Sequence, residues 1–107
     1  MWIFTPLGFF SVVEHRDNAC NVLIRARDKK HLTALIDRMQ WTVSIQDTPD
    51  ADYQCRIVVE KDDWAAALHV LAHDIEYTNF KAAVAPKTLF SDVLHGIWRF
   101  VEKAYAK

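Results

Sequence analysis

Three arginines, Arg25, Arg27 and Arg56, are the residues whose type and spacing best suit a binding chemistry in this chain. A guanidinium offers a planar fork of donors that matches carboxylate or phosphate and stacks on flat rings. Arg25 and Arg27 are two positions apart, as neighbours on one face of a strand are, and Phe9 and Ser11 share that spacing. On adjacent strands the three arginines would stand beside Phe9 and Ser11, hold an anion, and leave an aromatic free to stack on a base. The competing reading is that the arginine stems cover the sheet while their heads stay in water.

Other constellations are weaker. His69 and His73 have the i, i+4 spacing of a helical metal pair, but Val70 stands where a zincin-type motif needs Glu. Asp47, Asp50 and Asp52 are oxygen donors in one loop, without the turn glycine or closing Glu of a calcium loop. Turn stabilisation explains them, and no metal is expected. Ser11, Ser44 and Ser91 lack a nucleophile-elbow context, and Cys20 and Cys55 form no C-x-x-C pair. With Gly8 and Gly96 as the only glycines, a glycine-rich phosphate loop cannot be built, and no cofactor is expected. Acid–base groups for an unassigned reaction would come from Asp52, Tyr53, Tyr77 or His73.

The elements that must position these residues follow from periodicity. Residues 9–15 and 20–27 are β-rich around the turn-prone Arg16-Asp17-Asn18, which predicts a hairpin. Val22, Ile24 and Ala26 alternate with Leu23, Arg25 and Arg27, so one face is apolar and the other carries guanidiniums. Asp28 is placed to cap a helix to about Gln40 with Leu32, Leu35, Ile36 and Met39 on its inner face. A short strand at 41–45 and a stronger one at 53–60 follow, the latter with Tyr53, Cys55, Ile57 and Val59 pointing to the core. Asp62 or Asp63 opens a second helix to about Tyr77, with Trp64, Leu68, Leu71 and Ile75 inside, and a last helix spans about 88–104. Asp74, Tyr77, Asn79 and Lys81 make a second polar group. The expected fold is α+β in the order β-β-α-β-β-α-α, a small antiparallel sheet with its helices mainly on one face.

A chain of 107 residues, 51% of them hydrophobic, is expected to be a single domain over 1–107. Thirteen Lys and Arg against fourteen Asp and Glu leave a formal charge of −1, which argues against a nucleic-acid partner and an anionic membrane. No apolar run reaches the roughly 20 residues of a membrane span, and the apolar start lacks the basic end and cleavage site of a signal peptide. With two unpaired cysteines, a reducing cytoplasm is the expected location.

The opening Trp2-Ile-Phe-Thr-Pro with Gly8-Phe-Phe-Ser, the segment Thr48-Pro-Asp-Ala-Asp-Tyr followed by Arg56, and Ile75-Glu-Tyr-Thr-Asn-Phe-Lys81 carry a resemblance. The chain resembles, nearly end to end, a family of short bacterial proteins with no established activity. The resemblance implies a bacterial cytoplasmic protein. It directs attention to Thr5, Ser11, Asp52, Tyr53, Arg56, Tyr77, Asn79 and Lys81, and supplies no catalytic residue.

The last helix carries more apolar surface than one core-facing stripe needs. Phe90, Val93, Ile97, Phe100 and Ala104 form one stripe; Leu94, Trp98, Val101 and Tyr105 form its neighbour. The second stripe, with Leu94, Trp98 and Tyr105 as its interface residues, is expected to bind another copy or a protein partner. The leading expectation is therefore a non-catalytic binding or regulatory module working through a protein partner or as a homodimer. Its rivals are an anion or nucleic-acid binder using the arginine face, and a small enzyme.

Overall fold

The alternation of residues 22–27 sets the architecture, because a strand apolar on one side must bury that side. In the computed structural model, which describes residues 1–106, five strands form one antiparallel sheet. They are β1 (Trp2–Thr5), β2 (Gly8–Glu14), β3 (Asn21–Ala26), β4 (Gln46–Asp47) and β5 (Cys55–Glu60), in the order β1-β2-β3-β5-β4. Helices α1 (Lys29–Met39) and α2 (Lys61–His73) pack on one face, where Phe10, Val12, Val22, Ile24, Cys55 and Ile57 meet Leu32, Leu35, Trp64 and Ala67. The fold is α+β, as the periodicity implies.

Local chemistry explains most element ends. The Asp28 carboxylate accepts the Lys30 N–H at 2.9 Å and caps α1, the role its position predicts. Gln40 ends α1 in the left-handed conformation (φ 57°), its own N–H returning to the last turn. α2 differs from expectation at both ends. It starts directly from β5 at Lys61 without a side-chain cap, with Asp62 and Asp63 in its first turn, where the helix dipole favours acids. It stops at His73, where the Asp74 carboxylate takes two hydrogen bonds from Arg38 of α1, at 2.7 and 2.9 Å. Ile75 consequently lies outside α2 and is exposed.

Two strands depart from the sequence reading. β1 was hidden in the apolar opening and pairs with β2 from Trp2 opposite Ser11 to Thr5 opposite Gly8. Residues 41–45 are not in the ladder, and β4 is only Gln46 and Asp47, opposite Arg56 and Cys55. Trp41, Val43 and Ile45 still lean on the core, leaving a cleft of about 370 Å³ between Trp41, Thr42 and Val43 and the last residues of β5.

Backbone contacts gather the chain into two compact units, Met1–Ile75 and a second beginning at Glu76. No strand or helix crosses the boundary, since α2 ends before it. The second unit holds a 3-10 turn (Lys81–Ala83) and α3 (Leu89–Tyr105), capped by the Thr88 hydroxyl, which accepts the Ser91 N–H at 3.1 Å. No helix of the described residues is long and apolar enough to cross a membrane.

One polar contact ties the β1–β2 hairpin to α1. The Phe9 N–H donates to His31 Nδ1 at 3.3 Å, which requires that nitrogen to be unprotonated. Burial pushes the His31 pKa below its ordinary 6.5, against the opposing pull of the Asp28 carboxylate. The unfolded chain therefore binds this proton more readily than the folded one, so stability should be full above pH 6.5 and decline as pH falls into the window below it. Urea titrations from pH 7.5 to 5 should show that decline in the wild type and a flatter profile in His31→Gln; identical profiles would contradict the assignment.

Candidate functional site

The face of the sheet opposite α1 and α2 is built by the residues between the core positions. Strand register sets Ser11 opposite Arg25 and Arg25 opposite Arg56, with Gln46 beyond, so four strands contribute to one row. A second row, Val13, Leu23 and Val58, lies beside it, and Phe4 and Phe9 are paired at the other flank. Phe4 and Phe9 stack at 4.4 Å, and Trp2 meets Phe9 edge-on at 6.0 Å.

Tyr53 completes the arrangement, contrary to its expected place in the core. Residues 51–54 form bends, so the alternation of β5 does not extend back through them, and the Tyr53 ring comes onto the arginine face. The Arg25 and Arg27 guanidinium carbons each lie 4.7 Å from the ring centroid, and the Phe9 ring is 6.4 Å away. A cation at this distance is attracted by the ring quadrupole, worth about 0.5–2 kcal/mol per contact. Tyr53 is buried, and Thr48 Oγ1 donates to its carbonyl at 2.8 Å.

The predicted residues Phe9, Ser11, Arg25, Arg27 and Arg56 thus lie on one side of the sheet, Ser11 buried beneath the arginines. Arg25 Nη2 donates to Ser11 Oγ at 2.8 Å, and Arg27 Nη1 donates to the Asp52 carbonyl at 3.0 Å. The Nε–H groups of Arg25 and Arg56 are shut away from solvent with no hydrogen-bond partner. Among the described residues no carboxylate is within ion-pair distance of any of the three arginines; the ion pairs are Lys29–Asp47, Arg38–Asp74 and Lys61–Glu14. Like charges directly opposite across strands destabilise a sheet, so this face holds cationic repulsion that no described carboxylate neutralises.

The remaining candidates lie elsewhere. His69 and His73 rings sit 4.5 Å apart on an exposed side of α2, and no group of three His, Cys, Asp or Glu placed to hold a metal occurs among the described residues. Cys55 points into the core, where its thiol meets the Ala26 carbonyl at 3.4 Å and burial pushes its pKa up, an inert packing role. The Thr5 hydroxyl closes its own turn, accepting the N–H groups of Leu7 and Gly8 and donating to the Gly8 carbonyl. The second polar group is not one site, because Asp74 is engaged by Arg38. Asn79 and Lys81 instead line a cleft of about 370 Å³ in the second unit, with Ser91 and His95.

Leu94 is buried in the second unit and offers no interface surface, whereas Trp98 and Tyr105 are exposed. Lys81 Nζ lies 3.8 Å from the Trp98 ring centroid. Trp2 and Phe4 were missed as site residues, and Tyr53, singled out as a polar candidate, was placed in the core and not on the arginine face. The signal available for the first two was the strand propensity of the aromatic and β-branched run Trp2-Ile-Phe-Thr5, a segment read only as apolar. No family model matches the chain, and neither does any curated protein or solved structure, so its function must be argued from this surface chemistry.

Proposed function

We propose that the chain is a non-catalytic binding module whose arginine-bearing sheet face takes an anionic ligand. The observation that carries this reading is the direct cross-strand pairing of Arg25 with Arg56, with no carboxylate of the described residues within ion-pair distance. A carboxylate or phosphate placed between the two guanidiniums would relieve their repulsion and engage strong charge-assisted donors. Tyr53, Phe9 and Trp2 favour a ligand whose anionic group is attached to a flat ring. The net charge of −1 favours a small ligand over a long polyanion, whose binding needs many phosphate contacts.

Inorganic phosphate at low ionic strength should raise the thermal unfolding midpoint relative to chloride at matched ionic strength, because a ligand that binds only the folded state stabilises it. Arg25→Glu with Arg56→Glu should abolish that rise, and should weaken binding of an aromatic phosphate such as phenyl phosphate by at least about a hundredfold, since each charge-assisted hydrogen bond contributes roughly 1.5–3 kcal/mol. Circular dichroism should show the fold retained. Wild-type protein that responds to neither anion would overturn the proposal, and salt-sensitive binding of single-stranded oligonucleotide with no response to phenyl phosphate would replace it with nucleic-acid recognition.

A further inference from the structure

α3 is the element whose chemistry the sheet face does not use. Of its 17 residues only Ser91 and Leu94 are buried. Leu89, Phe100 and Tyr105 are 79%, 75% and 82% exposed, and Val93, Ile97 and Val101 are exposed too. At ~100° per residue these six side chains span about 160° of the helix cylinder, an arc that the half-buried Phe90 and the buried Leu94 share. Asp92, His95, Arg99, Glu102 and Lys103 occupy the other half. An apolar surface of this extent on a single helix is a contact surface awaiting a partner.

We infer that the occupant is α3 of a second copy, packed antiparallel. Three observations favour it. The polar half carries two acids, Asp92 and Glu102, against two bases, Arg99 and Lys103, whereas a helix lying on an anionic lipid surface needs an excess of bases there. The exposed area of the six side chains is on the order of 700 Å², close to the ~800 Å² each partner gives to a standard interface. Charge complementarity fixes direction. Asp92 and Lys103 lie within ~20° of each other around the helix, on one flank of the apolar half. A two-fold axis between Ile97 and Trp98 brings Asp92 level with Lys103 of the other copy, and an antiparallel pair sets like flanks against each other. Two ion pairs then bracket the apolar contact, one at each end, and the interface is closed and self-complementary.

Light scattering after size exclusion of the full chain at about 100 µM should give twice the chain mass. Ile97→Asp with Phe100→Asp changes only exposed positions, and should give a monomer with unchanged circular dichroism and thermal midpoint. Lys103→Asp should weaken the dimer about tenfold by facing two acids, and adding Asp92→Lys should restore it to within about threefold. A wild-type monomer at that concentration, a dimer that survives the Ile97/Phe100 substitutions, a charge exchange that fails to restore association, or co-sedimentation of a monomer with phosphatidylserine vesicles would each overturn the inference.

Discussion

Alanine at position 8 should cost the protein about 3 kcal/mol or more. Gly8 opens β2 with φ 149°, a conformation that side-chain-bearing residues adopt only under strain of about 1–3 kcal/mol. A Cβ there would also overlap the Cβ and ring carbons of His31, and forcing extra volume into a packed site costs a further ~1–3 kcal/mol. Because a domain's whole stability is roughly 5–15 kcal/mol, the variant should lose a large part of its urea midpoint. Removing the ring in the double variant Gly8→Ala, His31→Gly should recover the overlap but not the backbone strain, so its stability should lie above that of Gly8→Ala with His31→Gly alone as its reference for helix propensity. A Gly8→Ala variant within ~1 kcal/mol of wild type would show that the hairpin and α1 do not meet as closely as described.

Adjacent phenylalanines on β2 should behave oppositely. Phe10 is fully buried among the core residues beneath α1, so Phe10→Ala should cost about 3–5 kcal/mol. Phe9 points to the arginine face, half-buried and stacked on Phe4, and its truncation should cost less than ~2 kcal/mol while weakening the aromatic phosphate. Urea unfolding read together with ligand titration separates the two. Equal destabilisation by both substitutions would mean that β2 does not divide the two faces in this register.

Whether such positions could be read from the sequence depended on contrast. The hairpin of β2 and β3 was legible because Val22, Ile24 and Ala26 are apolar and Arg25 and Arg27 are not, and that contrast also brought Arg25 and Arg56 onto one surface. β1 was not legible because its two faces, Trp2 with Phe4 and Ile3 with Thr5, differ too little in polarity for alternation to show. Residues 41–45 show the reverse problem. Their burial does alternate, but period-two burial reports which way side chains face and not whether the backbone reaches the neighbouring strand. Tyr53 was misplaced because a period-two count was carried through a bend. α3 was legible as amphipathic, but the burial of Leu94 beside an exposed Trp98 was not, because both belong to the same apolar stripe.

The cleft beside β5 bears on how the sheet avoids joining other sheets. An unpaired strand edge is a template for aggregation, and β4 pairs with β5 only at Arg56 and Cys55, leaving the rest of that edge without a ladder partner. Residues 41–45 stand in front of it without bonding to it, and Glu60, Asp63, Asn21 and Thr42 line the gap with polar groups. A foreign strand would have to displace Trp41 and Val43 from the core and desolvate two carboxylates before its first backbone bond formed. The segment thus works as a guard against edge-to-edge polymerisation.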